Sequence, residues 1–116
     1  KAAAIPGLVL FRFNAPLVFF NADHFKQRAL AAVKASGGEL HWFVIDAVPI
    51  SDIDINGLAV LKDLQQQLQR QNIALIWAGR QSEFLNLIAQ IGENTDGLDK
   101  LTYPTLRQAV NAYKAL

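Results

Sequence analysis

Six residues near the middle of the chain have the types and spacing of a chemical site. In Asp52-Ile53-Asp54-Ile55-Asn56-Gly57, oxygen-bearing side chains alternate with isoleucines and a glycine closes the run; Asp63 lies further on. An EF-hand calcium loop places its oxygens at the first, third and fifth positions and its glycine at the sixth. The rest of the loop speaks against an ion. Its twelfth position is Asp63, shorter than the glutamate that reaches calcium through both oxygens. The segment before it carries Pro49 and reads as a strand and loop, where an EF-hand needs a helix. Ile53 and Ile55 would have to point away from a solvated ion. No metal site is expected.

A phosphoryl receiver is a second chemistry to weigh, because Asp46 ends a strand-like run as an acceptor aspartate would. Such a site also needs an acidic pair after the first strand to hold magnesium. The early strands instead end at Asn14 and Asn21, and the later one ends in Ala78-Gly79-Arg80 with no lysine. Nucleophilic catalysis has little to rest on, since the chain has no cysteine, no paired histidines and no Ser-His-Asp arrangement. His24 and His41 lack ligand spacing. No enzyme activity and no cofactor are expected.

The elements that position these residues follow from hydrophobic period and punctuation. Leu8–Phe13 and Leu17–Phe20 read as two short strands around Asn14-Ala15-Pro16, arranged as a hairpin. A helix starts at Asn21 or Asp23, turns Phe25, Ala29, Ala32 and Val33 inward, and stops at Gly37-Gly38. Leu40–Asp46 is apolar on consecutive positions, as in a strand covered on both faces. The helix after it begins near Asn56, with Leu58, Leu61, Leu64 and Leu68 as its buried stripe. Ile73–Ala78 is another buried strand. Ser82 opens a helix carrying Phe84, Leu85, Leu87, Ile88 and Ile91, closed by Gly92; Glu93–Lys100 is a polar loop. Leu101–Tyr103 adds a short strand, and Pro104 falls in the first turn of a last helix that turns Leu106, Val110 and Tyr113 inward. Trp42, Trp77, Phe19, Phe20 and Phe25 are read as packing residues, and Arg12 and Arg28 as solvated.

Strands alternating with helices imply an α/β fold with a largely parallel central sheet, right-handed crossovers and a site at the carboxyl end of a central strand. That place is Asp46–Gly57. Charge gathers there too. Residues 1–36 are net +4, residues 37–66 net −4 and residues 67–116 net +1, for a total of +1. So weak an overall charge gives no basis for nucleic-acid binding. The chain has 116 residues, 52% hydrophobic and 18% charged, which suits one packed domain. It has no apolar run of the roughly 20 residues a membrane span needs. It also has no methionine, which is read as the mark of a piece of a longer protein.

Two stretches carry a family resemblance. Ile45-Asp46-Ala47-Val48-Pro49-Ile50-Ser51-Asp52-Ile53-Asp54-Ile55-Asn56-Gly57-Leu58 resembles the signature of the STAS domain (sulphate transporter and anti-sigma factor antagonist). There an apolar strand ends in Asp, and Asp, two hydroxyl residues, Gly and Leu open a helix. Upstream, Pro6-Gly7 and Val9–Lys26, with Ala15-Pro16-Leu17-Val18-Phe19-Phe20-Asn21-Ala22, resemble the transporter branch, the SulP anion permeases. The likeness covers Ile5 to about Ala115.

The resemblance implies a STAS fold over residues 1–116, a sheet with helices packed on it. It implies a non-catalytic regulatory domain at the carboxyl end of a SulP-type permease, on the cytoplasmic face of the inner membrane. Its partners would be the transmembrane part of the same transporter, a second copy or a cytosolic regulatory protein. The candidate regulatory or ligand loop is Asp46, Ser51, Asp52, Asp54, Ile55, Asn56 and Gly57. In the antagonist branch the second hydroxyl residue is a phosphorylated serine. Here Ile55 and Asn56 stand at the two hydroxyl positions, so no phosphorylation is expected. Asp46 is read as a loop hydrogen-bond acceptor and Asp54 as a cap or loop-bracing carboxylate. Asn56 could also cap the helix, whose N-terminus could in turn hold an anion or nucleotide against the opposition of Asp52 and Asp54. The alternative is a free-standing antagonist-type switch, which would need a hydroxyl at position 56.

Overall fold

A computed structural model describes residues 5–14, 17, 21–36, 39–50, 53–79, 81–91 and 102–116. Strands and helices alternate along it: β1 (Leu8–Arg12), α1 (Ala22–Ala35), β2 (Trp42–Asp46), α2 (Ile55–Gln69), β3 (Ala74–Ala78), α3 (Gln81–Ile91), β4 (Thr102–Tyr103) and α4 (Leu106–Lys114). The four strands form one parallel sheet in the order β1-β2-β3-β4. Leu8 lies opposite Trp42 and Arg12 opposite Asp46; Trp42 lies opposite Ala74 and Asp46 opposite Ala78.

The two-residue period of a strand divides the sheet into two faces. One face carries Phe11, Phe43, Ile45, Leu75 and Trp77 into the main core. α1 closes it with Phe25 and Ala29, α2 with Leu58, Leu61, Leu64 and Leu68, and α3 with Phe84. The other face carries Leu8, Val44, Ile76 and Ala78 under α4. Phe25 stands edge-on to Phe11 (5.5 Å, 72°) and Phe13 (5.0 Å, 86°), a geometry that aromatic quadrupoles favour. The guanidinium of Arg28 lies 5.9 Å from the centre of the Phe11 ring, while its side chain stays exposed.

Several boundaries and roles differ from the sequence reading. The hairpin is not the arrangement at Leu17. That residue forms a parallel bridge with Ile53, because its carbonyl is taken by the Asp54 amide. The remainder of the expected second strand (18–20), Phe19 and Phe20 included, lies outside the described residues, as do Gly37-Gly38, Gly92 and the loop Glu93–Lys100. Pro104 is not in the first turn of α4. Thr105 is the N-cap, in extended backbone, with its hydroxyl accepting from the Gln108 amide at 3.1 Å, so Pro104 precedes the helix. The centre of the α4 face is Ala109, fully buried, with Leu106 and Tyr113 packed beside it.

The tryptophans pack on opposite faces of the sheet. Trp77 stacks on Phe84 in the main core at 4.6 Å and 15°. Trp42, on the neighbouring strand but of opposite parity, meets Tyr103 and Tyr113 under α4.

Candidate functional site

At the carboxyl end of β2, Asp46 accepts a hydrogen bond from the Val48 amide at 3.3 Å and so braces its own turn. The Ala47 amide donates to the Ala78 carbonyl (2.7 Å) and the Ile50 amide to the Ala47 carbonyl (3.0 Å), tying the loop to the end of β3. Ala47 and Ile50 are buried, and Val48 between them is exposed. Ser51 and Asp52 lie outside the described residues.

The chain then enters α2 through Asp54. Its extended backbone (φ −120°, ψ −174°) lets Oδ1 accept from the Gly57 amide at 2.9 Å, while its carbonyl accepts from the Leu58 amide at 2.9 Å. Asp54 is therefore the N-cap, and the cap expected from Asn56 is not formed: Asn56 is already the second residue of the helix. Ile53 packs against the core and Ile55 stands outside, 56% exposed. The alternation that resembled a calcium loop is thus a strand-like entry with one isoleucine in and one out.

An anion at a helix N-terminus binds through free amides and the positive end of the dipole. Here the Gly57 amide already faces a carboxylate that carries its own negative charge.

Gly57 is buried for a reason that the sequence pattern alone does not reveal. A Cβ there would sit 2.1 Å from the carbonyl oxygen of Leu17 and 2.9 Å from its Cγ. The same carbonyl accepts from the Asp54 amide at 3.2 Å. The upstream stretch and the loop signature are therefore in direct contact across the fold.

Asn56 is exposed and lines a groove of about 400 Å³ between α1 and α2. Ala22, Asp23, Lys26, Ala59, Val60 and Asp63 line it with Asn56. Lys26 and Asp63 form a hydrogen-bonded ion pair across the two helices. The Lys26 hydrogen bond holds the Asp63 carboxyl below its ordinary value, against a smaller desolvation effect that raises it. The Gln67 amide also donates to Asp63, and the Gln27 amide to Asp23.

The sequence reading missed both the Lys26–Asp63 pair and the Leu17–Gly57 contact. The partners are far apart in the chain, so no local period marks them. The co-occurrence of the two family stretches was the available signal for the second.

Among the described residues, no group of three or more His, Asp or Glu side chains converges as a metal site. His24 and His41 are separate: His24 neighbours the Phe13 ring on α1, and His41 lies over Gly7 at the start of β1. Arg12 is exposed and bonds Asn14. No described helix is long and apolar enough to cross a membrane.

Comparison with known proteins adds three findings. The family model "STAS domain" matches residues 1–109. A probable sulfate transporter of Mycobacterium tuberculosis is 32% identical over 120 residues, covering 98% of this chain and 20% of the transporter. The chain thus spans about a fifth of the length of that curated relative. Among solved structures, the murine Solute Carrier 26 family member A9 anion transporter, in its inward-facing state, superposes with a TM-score of 0.85 at 20% identity, covering 100% of this chain and 19% of that one. The SulP transporter STAS domain from Vibrio cholerae superposes with a TM-score of 0.73 at 16% identity, covering 99% of this chain and 87% of that one.

Proposed function

The chain belongs to the STAS domain family, and on that premise we propose that it is the regulatory, non-catalytic domain of a SulP-type anion permease. It would sit on the cytoplasmic face of the inner membrane, at the carboxyl end of a protein whose transmembrane part carries sulphate or a related anion. Its partners are the transmembrane part, a second copy or a cytosolic regulator, and it acts on them by contact.

The observation that carries this reading is the entrance to α2. Where the switching branch presents hydroxyls, this chain presents an exposed isoleucine and an exposed carboxamide on a helix capped by Asp54. Neither side chain can accept a phosphoryl group. A contact surface remains, and the 32% identical relative is named as a probable sulfate transporter.

The test is the parent gene. A series of hydrophobic segments encoded upstream, together with altered surface level, assembly or anion flux when residues 1–116 are deleted, is the expected result. An open reading frame with nothing able to cross a bilayer would overturn it and favour a free-standing switch. Phosphate found on the Asp54–Gly57 peptide after incubation with a cognate kinase would do the same.

A further inference from the structure

Leu17 lies between β1 and α1 in the chain, yet three features tie it to the entrance of α2. It forms a parallel bridge with Ile53. Its carbonyl accepts from the Asp54 amide at 3.2 Å. Its carbonyl and Cγ fill the space that any side chain at position 57 would need. The Leu17 side chain itself is fully buried in the main core.

These contacts close on themselves. Leu17 holds the backbone of Asp54, Asp54 caps the Gly57 amide, and the bare α-carbon of Gly57 is what admits Leu17. Removing any one of the three loosens the other two. A backbone carbonyl seated against a glycine has no intermediate position to relax into, because close packing resists continuous deformation.

We infer that Leu17 and the first turn of α2 form a latch that opens as one unit, separately from the sheet. The latch couples Leu17 to the exposed Ile55–Asn56 surface. A partner that grips Ile55 and Asn56 in the latched geometry holds Leu17 in place. Binding or tension that withdraws Leu17 uncaps α2 and changes the surface presented. This inference stands on the contacts alone and does not need the transporter assignment.

Native-state hydrogen exchange on the 116-residue chain, followed by NMR in low denaturant, tests it. The amides of Asp54, Gly57 and Leu58 are expected to share one opening, at least about ten-fold more frequent than that of the β3 amides. Leu17→Ala, which leaves α2 chemically untouched, is expected to speed all three by about ten-fold or more. Gly57→Ala is the second variant and should do the same by pushing the Leu17 carbonyl away. Phe84→Leu, which perturbs the Trp77 stack and touches none of the latch's own hydrogen bonds, should speed the β3 amides and leave the latch amides within about two-fold. Latch amides that open only together with β3 in the unmodified chain would overturn the inference. So would Leu17→Ala or Gly57→Ala leaving Asp54, Gly57 and Leu58 at their original rates.

Discussion

Replacing Asp54 by alanine isolates what the loop signature does physically. The side-chain Oδ1 accepts from the Gly57 amide at 2.9 Å in a half-buried setting. Losing an N-cap typically costs about 1 kcal/mol, with a range of roughly 0.5–2. Because Gly57 is buried against Leu17, its orphaned amide has poor access to water, which places the cost at the upper end, about 1–2 kcal/mol. For a chain of 116 residues the unfolding entropy near the midpoint is about 0.24 kcal/mol per kelvin, so this becomes a fall in Tm of roughly 4–8 °C.

Asp54→Asn keeps an acceptor at the cap and removes only the charge, so it should lose less than half as much. Calorimetry gives the shift, and urea unfolding with an unchanged m-value shows that the denatured state is not the cause. A fall of under about 1 °C for Asp54→Ala would refute the capping role. Equal losses for the two variants would refute the hydrogen bond in favour of the charge.

Phe25→Ala should cost about 3–5 kcal/mol, because it empties a fully buried site that joins the Phe11 and Phe13 rings; chemical denaturation measures it. The Lys26–Asp63 pair should give a small pH dependence. Since the folded carboxyl titrates below its unfolded value, its contribution is present above that unfolded value and is lost as pH falls through the lower, folded one. Both groups are partly exposed, so the contribution is about 0.2–1 kcal/mol and should vanish in 1 M salt; a double-mutant cycle with Lys26→Ala and Asp63→Ala reads it. Asn56→Ser should change stability by less than about 0.5 kcal/mol, because the side chain is exposed, while supplying the missing hydroxyl. Mass spectrometry after incubation with a kinase of the antagonist branch should then find phosphate in that variant and none in the unmodified chain.

The alternation of strands and helices, the leucine stripe of α2 and the place of the loop were legible in the sequence. Each rests on a local period of two or about 3.6 residues, or on a glycine or proline at a border. The family was legible too, from two stretches that individually are short. Cap identities were legible only in part. Asp54 and Asn56 are both good capping residues, and the choice between them depends on where extended backbone gives way to helix. The same difficulty displaced Pro104, since a proline suits either the first turn or the position before a cap.

The sequence by itself determined which residues could face a core and that position 56 offers no hydroxyl, because side-chain chemistry and spacing are properties of the chain alone. Tertiary structure decided which face each strand residue took, placing Trp42 and Trp77 on opposite sides of the sheet. It decided that Leu17 bridges Ile53, that Lys26 meets Asp63, and that Gly57 is required by a carbonyl 40 positions earlier. Those contacts arise where helices and connections close over a shared sheet, and separation along the chain carries no trace of them.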